Sequence, residues 1–133
     1  MTNRKDKDKE KSKNLMSGHE KGLLCAQQAE QSKAQEIVLL DLSGFASFSD
    51  FFVICSGKSS RQVQGIADNL ERGLREQGIR PLGVEGRGEG HWILMDYGDV
   101  IVHIFYEPIR DHYDLESLWS EAKKVRLEHS AEV

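Results

Sequence analysis

Two alternating apolar segments, Trp92–Met95 and Val100–Phe105, constrain this sequence more than any other feature. They are separated by Asp96-Tyr97-Gly98-Asp99, and glycine tolerates the positive φ that a tight turn needs. The pattern therefore predicts a β-hairpin, in which successive side chains point to opposite faces of a sheet. If Tyr97 and Gly98 form a two-residue loop, the expected cross-strand pairs are Asp96 with Asp99, Leu94 with Ile101, and Trp92 with His103.

The two faces of this hairpin differ in character. One face is entirely apolar and suits a core: Ile93, Met95, Val100, Val102 and Ile104. The other mixes rings, acids and a histidine: Trp92, Leu94, Asp96, Asp99, Ile101, His103 and Phe105. Protein interfaces favour aromatic anchors surrounded by polar groups, so the mixed face indicates a binding surface.

Two alternatives stay open for the mixed face. A helix could cover it, which would place Trp92 and Phe105 in a second core and make His103 a buried histidine. A three-residue loop with a bulge at Gly98 would shift the pairing, and a slip of one residue would exchange the faces. The assignment of side chains to the surface is therefore conditional on the turn.

The rest of the chain supplies further strands and helices. A helix is predicted over Glu20–Ser32, strands over Ile37–Leu42, Phe51–Ser56 and Ile79–Val84, and a second long helix from a capping-box pattern, Ser59 with Gln62, to Gly78. Pro81 places the third strand at a sheet edge. Two short helices follow the hairpin, one with Pro108 in its first turn and one with Asp114 as N-cap. The order predicts an α/β (α+β) domain with a mixed sheet of about five strands and flanking helices.

Three segments differ in composition. Residues 1–18 alternate lysine with acids and contain almost no apolar side chain, so they are predicted to be a disordered lysine-rich tail. Residues 19–124 form the predicted domain, and residues 125–133 a C-terminal tail. Within the domain, Glu85–Gly90 is glycine-rich, but it carries two glutamates and no helix follows it. It is predicted to be a mobile connector and not a phosphate-binding loop.

The charge is unevenly distributed. The chain carries a net charge of −4, yet Glu85–Trp119 alone holds eight acidic residues against two arginines. An acidic surface repels phosphate backbones, which argues against sequence-specific nucleic-acid binding and favours a basic protein partner. Cys25 and Cys55 lack a CxxC spacing and suit a reducing cytoplasm. No apolar run approaches the roughly 20 residues of a membrane span, so no membrane association is expected.

Catalysis, metals and cofactors are not indicated. Nucleotidyl transfer needs a Gly-Ser turn and paired acids that hold magnesium; Gly57-Lys58-Ser59 offers a partial turn, but the third strand has no acid before Glu85. His91, His103 and His112 lack the short paired spacings of zinc sites, and no Gly-x-Ser-x-Gly elbow is present. The expectation is a non-enzyme without cofactors. Two alternatives are a divergent nucleotidyltransferase-like phosphate-binding enzyme that uses Ser59 and Asp96, and a protein that only forms homodimers.

Three segments together resemble the ribosomal silencing factor family, also called Iojap or RsfS: Ser49–Gly57, Trp92–Phe105 and Arg110–Trp119. The resemblance covers roughly Leu24 to Ala122. It implies a small α/β fold related to nucleotidyltransferases but without their catalytic acids. It also implies binding to the large ribosomal subunit through protein uL-fourteen, which blocks joining of the small subunit and represses translation when nutrients are short. Family members are also linked to subunit assembly, and they can form homodimers.

The resemblance further implies which residues contact the partner. Carried over position by position, the contact surface consists of Trp92, Leu94, Asp96, Asp99, His103 and Phe105, with Tyr113, Asp114 and Trp119 nearby. His112 stands where many relatives have phenylalanine, which puts a packing role at that position in doubt.

Overall fold

The structure, a computed structural model, describes residues 16–45 and 49–127. Its helices are α1 (Gly18–Gln31), α2 (Ser60–Glu76), α3 (Glu107–Tyr113) and α4 (Leu115–Leu118). Its strands are β1 (Gln35–Asp41), β2 (Phe51–Gly57), β3 (Gly83–Glu85), β4 (Trp92–Asp96), β5 (Val100–Tyr106) and β6 (Lys123–Val125). Residues 1–15 and 128–133, on which most of the two tail predictions fall, lie outside the described residues.

The strands form one mixed sheet in the order β3-β4-β5-β2-β1-β6. Strands β2 and β5 are parallel, and the other neighbours are antiparallel. The predicted fold class is confirmed. The sheet has six strands instead of about five because Lys123–Val125 pairs with β1, where Val125 lies opposite Leu39. Three residues that include two lysines carry too little apolar pattern to predict a strand. This strand ends at Val125, the residue at which the predicted C-terminal tail begins.

Helices α1 and α2 cover one face of the sheet and build the larger core. Ser17 and Glu20 form a complete capping box at the start of α1. At the start of α2, the Ser59 Oγ accepts a hydrogen bond from the Gln62 backbone N–H at 3.0 Å, as the sequence pattern predicts. The buried side chains of α2 recur at helical spacing: Val63, Ile66, Ala67, Leu70 and Leu74. The predicted strand Ile79–Val84 is shorter and displaced, at Gly83–Glu85, and it does lie at the sheet edge.

The opposite face of the sheet carries a smaller core, which α3, α4 and residues 119–122 cover in part. Its buried members are Leu40, Leu42, Phe52, Ile54, Phe105 and Ala122. Half-buried side chains, among them Trp92, Ile101 and Trp119, pack against these residues. The second core therefore supports the side of the hairpin that faces away from α1 and α2.

The hairpin has a different register from the one predicted. Tyr97 donates its backbone N–H to the Val100 carbonyl at 2.8 Å, so Gly98 and Asp99 form the two-residue loop. The observed pairs are Asp96 with Ile101, Leu94 with His103, and Trp92 with Phe105. The predicted pairs are wrong by two positions along β5. A slip of two residues preserves the alternation of side chains, so the strand residues keep their predicted faces.

Candidate functional site

Trp92 lies at the centre of the candidate site, where β4 meets α3. Its ring centroid is 4.9 Å from that of Phe105 and 4.9 Å from that of Tyr113. Its Nε1–H donates a hydrogen bond to Nδ1 of His103 at 3.1 Å. Trp92 is half-buried, so these contacts fix the ring while part of it reaches solvent. A ring held in this way can anchor a partner because it loses little conformational freedom on binding.

The solvent-reaching side chains around this ring form what we call the hairpin surface: Trp92, Leu94, Asp96, Tyr113, Asp114 and Trp119. Leu94 and Asp96 extend it along β4. Tyr113, at the end of α3, is 54% exposed, and Asp114 follows it in an exposed left-handed conformation. Trp119 packs edge-on against Phe52 with the ring centroids 6.0 Å apart. Six of the nine predicted site residues therefore lie on one side of the sheet with solvent access.

Two predicted site residues, His103 and Phe105, lie beneath this surface. Phe105 is fully buried, and His103 is 4% exposed. Burial disfavours the charged imidazolium and lowers the pKa of His103 to about 4. Because Nδ1 accepts the Trp92 hydrogen bond, the neutral ring carries its proton on Nε2, which has no hydrogen-bond partner among the described residues. The second-core alternative thus applies to these two residues, and both support Trp92 from below.

The two predicted turn acids do not converge. Asp96 accepts a hydrogen bond from the Gly98 backbone N–H at 2.8 Å, which orders the turn. Asp99 instead faces α1, where its Oδ1 lies 2.8 Å from Nζ of Lys21. The expectation that Asp99 shares the mixed face is therefore wrong, because Lys21 holds its carboxylate on the other side of the turn. Across the described ranges, no group of three or more His, Cys, Asp or Glu side chains is placed to hold a metal ion.

An acidic rim surrounds the hairpin surface. Glu85 lies opposite Leu94 on the neighbouring strand, and Asp111 and Asp114 are exposed beside Tyr113. The two arginines of this region are paired elsewhere: Arg110 with Glu116, and Arg87 with Asp68 and Glu71 of α2. The rim therefore carries a net negative charge that these arginines do not offset.

The geometry argues against the phosphate-binding alternative. Ser59 Oγ is occupied as the N-cap of α2, and the Lys58 backbone N–H donates to the Gln62 side chain at 2.6 Å. Gly57, two residues before Ser59, lies opposite Tyr106 of β5, whereas Asp96 lies opposite Ile101 of the same strand. Tyr106 and Ile101 are five residues apart along β5, a distance of roughly 16 Å, so Ser59 and Asp96 do not share one site.

Sequence reasoning missed two features near the surface. Leu118 is 75% exposed, and Asp114, the predicted N-cap, makes no side-chain cap hydrogen bond to α4. Arg110 is buried at 5% exposure, which no local pattern indicates because a buried arginine depends on partners distant in the chain.

Comparisons with known proteins assign the chain to a family. A family model described as "Ribosomal silencing factor during starvation" matches residues 16–133. The chain belongs to the RsfS family. The chain is 42% identical over 113 residues to the ribosomal silencing factor RsfS of Halalkalibacterium halodurans. The aligned region covers 85% of this chain and 97% of that protein. The resemblance drawn from the hairpin, the following helices and Ser49–Gly57 is confirmed.

Solved structures and eukaryotic relatives extend the comparison. The RsfS-family chain matches the crystal structure of a Chromobacterium violaceum protein with a TM-score of 0.77 at 35% identity, over 84% of this chain and 92% of that one. It is 27% identical to the mouse protein "Mitochondrial assembly of ribosomal large subunit protein 1", over 68% of this chain and 41% of that protein. Within residues 16–45 and 49–127, no helix of this RsfS-family member is long and apolar enough to span a membrane.

Proposed function

We propose that this chain is a ribosomal silencing factor that binds the large subunit through protein uL-fourteen by means of the hairpin surface. The bound factor would occupy space that the small subunit needs, so subunit joining and translation would be blocked under nutrient limitation. The observation that carries the proposal is the half-exposed Trp92 ring, held by Phe105, Tyr113 and His103 within an acidic rim. Family membership supports it, since the relatives' names describe silencing of ribosomes or assembly of the large subunit.

The arrangement fits a protein partner physically. Pre-ordered aromatic side chains supply most of the affinity in protein interfaces, and charge complementarity steers the encounter. A basic ribosomal protein is complementary to Glu85, Asp96, Asp111 and Asp114. In this proposal His103 and Phe105 act indirectly, by holding Trp92, and Asp99 stabilises the turn.

The proposed action is steric and requires no catalysis, metal or cofactor. It places the protein in the cytoplasm with the ribosome. A second copy of the chain could bury the same rings, in which case homodimerisation would compete with binding to the subunit. Sedimentation of the free protein at increasing concentration, with and without Trp92→Ala, tests that competition.

Co-sedimentation with isolated large subunits tests the main proposal. We expect Trp92→Ala and Asp96→Lys each to weaken binding by about 2 kcal/mol or more, the range for interface residues that dominate affinity. Glu76→Lys, an exposed residue of α2 on the opposite face, makes the same charge change and should bind like the unmodified protein. Undiminished binding of both hairpin variants would remove the hairpin from the interface.

A further inference from the structure

Arg110 is the buried charged residue that the proposed function leaves without a role. It lies near the end of α3 with 5% exposure, and no Lys, Asp, Glu or other Arg among residues 16–45 and 49–127 is buried. Its Nε and Nη2 donate to the two carboxylate oxygens of Glu116, both at 3.0 Å. Its Nη1 donates to Oγ of Ser56 and to the backbone carbonyl of Glu36, both at 2.8 Å. The guanidinium therefore joins four parts of the fold: α3, α4, β2 and β1.

The carbonyl that Arg110 uses on β1 is available because the strand is irregular there. Glu36 has a φ of 49°, and the pairing of β1 with β2 shifts between Gln35 and Val38. A bulge of this kind turns a backbone carbonyl out of the regular ladder. The Ser56 hydroxyl on β2 supplies a second acceptor beside this carbonyl, and the Arg110 guanidinium donates to both.

The segment that Arg110 fastens, α3 and α4, buries few of its own side chains. Helix α4 is four residues long and contains no buried residue, and Arg110 is the one buried residue of α3. Ile109, Leu115 and Trp119 contribute only half-buried contacts to the second core. A helix this short is not stable by itself, so tertiary contacts must define its position.

The same segment carries the aromatic side chains of the hairpin surface that do not come from the hairpin itself. Tyr113 ends α3 and packs against Trp92, while Trp119 follows α4 and packs on Phe52. Along the chain, Tyr113 lies between Arg110 and Glu116, and Trp119 follows Glu116 by three residues. Displacement of α3 or α4 would therefore move both rings, and Trp92 would lose one of its supports.

We propose that Arg110 is a positioning residue for the hairpin surface. It holds α3 and α4 against the sheet through Glu116, Ser56 and the Glu36 carbonyl, and so presents Tyr113 and Trp119 to the partner without touching it. The inference rests on the proposed function. It assigns the planar guanidinium a role that lysine cannot fill, since lysine lacks the geometry for bidentate pairing with a carboxylate.

The test uses Arg110→Lys, Glu116→Gln and a matched stability control. Val63→Ala truncates a fully buried residue of α2 in the other core, remote from the hairpin surface. Binding to large subunits is measured at a temperature at which circular dichroism shows every variant folded. We expect Arg110→Lys to weaken binding by about tenfold, because Tyr113 and Trp119 would lose their place in the interface, and Val63→Ala to leave it unchanged.

Tryptophan fluorescence gives a readout independent of the ribosome. The chain has two tryptophans, so Trp92→Phe leaves Trp119 as the single reporter. In that background Arg110→Lys should shift the Trp119 emission to longer wavelength and increase its quenching by acrylamide, whereas Val63→Ala should not. Glu116→Gln should have smaller effects in the same direction, and the double variant should be no worse than Arg110→Lys because both changes break one pair.

The outcomes separate this inference from the proposed function. Loss of binding by Trp92→Ala, together with unchanged binding and unchanged Trp119 fluorescence in Arg110→Lys, would overturn the positioning role alone. A loss of binding in Val63→Ala as large as that in Arg110→Lys would show that Arg110 contributes only general stability. Unchanged binding by both Trp92→Ala and Asp96→Lys would instead overturn the proposed contact surface.

Discussion

At the scale of single residues, protonation of the buried His103 couples folding to pH. The pKa is about 4 in the folded protein and 6.5 for a free histidine, so the unfolded chain binds more protons between these values. The contribution of His103 to stability is therefore largest above pH 6.5, and it falls as the pH drops towards 4. We expect a loss of about 2 kcal/mol between pH 7.5 and 5, before most carboxylates titrate.

His103→Asn is the control for this pH dependence. Its amide oxygen can accept the Trp92 hydrogen bond, but the side chain does not titrate in this range. Urea unfolding at pH 7.5, 6.5, 5.5 and 5 should show a shallower loss of stability in this variant than in the unmodified protein. Equal slopes would show that His103 is not the group responsible.

Gly90 gives a second prediction at the residue scale. It has a φ of 68°, is buried, and a Cβ added there would lie 2.7 Å from the backbone carbonyl oxygen of Ser60 in α2. Gly90→Ala should destabilise the protein by about 2 kcal/mol, since neither the backbone strain nor the contact can relax easily. Gly88→Ala, in the same loop with nothing within 4 Å of its added Cβ, should have little effect on the urea midpoint.

This loop also shows what the sequence cannot reveal. Its glycines predict a connector, but Gln64 of α2 donates to the carbonyls of Arg87 and Gly88 at 2.9 and 3.1 Å, and Arg87 pairs with Asp68 and Glu71. These contacts join residues that are 16 to 24 positions apart. The glycines in the sequence indicate that the backbone of this loop is free to move. The contacts that restrict it come from α2 and depend on tertiary packing.

At the scale of secondary-structure elements, the alternation of apolar residues in the hairpin determines which face each side chain occupies, whereas the turn determines the register of the two strands. Alternation assigns Ile93, Met95 and Trp92 to their faces correctly, because it depends only on the period of the strand. The register depends on the turn, where Asp96 bonds to the Gly98 N–H and moves the loop to Gly98-Asp99. Both possible loops contain Gly98, so composition alone does not distinguish them.

The turn gives the prediction at this scale. Asp99 pairs with Lys21, and the Lys21 ammonium also donates to the Tyr97 carbonyl at 3.2 Å, so the turn is fastened to α1. Asp99→Asn should lower the unfolding free energy by about 1 kcal/mol, as for a partly exposed ion pair with a hydrogen bond, and leave subunit binding intact. Asp96→Asn should weaken binding if Asp96 contacts the partner. Loss of binding by Asp99→Asn alone, measured by co-sedimentation, would reverse these roles.

At the scale of the whole molecule, the candidate site was only partly predictable. The sequence places Trp92, Leu94 and Asp96 on the mixed face, and the structure gives all three access to solvent. Whether that face is open or covered depends on how α3 and α4 fold back, and their position depends on Arg110 contacting residues 54 and 74 positions away. Covering of His103 and Phe105 is therefore a property of the assembled fold.

The charge distribution of the whole molecule predicts how salt affects binding. The acidic rim should speed association with the proposed basic partner, uL-fourteen, so the association rate should fall by about tenfold between 0.05 and 0.5 M KCl as the charges are screened. Isolated uL-fourteen is the suitable partner, because ribosomal RNA would repel an acidic protein at long range. Asp96→Lys should reduce this salt dependence more than Glu76→Lys, which makes the same change in net charge on the opposite face.

Substitution of Trp92 should affect the dissociation rate constant. Removal of a buried anchor mainly speeds dissociation, whereas removal of a peripheral charge mainly slows association. Stopped-flow or surface-based kinetics should therefore show Trp92→Ala with a faster dissociation rate and nearly unchanged salt dependence. If association were independent of salt while Trp92→Ala still dissociated faster, the rings would bind the partner without electrostatic steering, and the acidic rim would have no part in recognition.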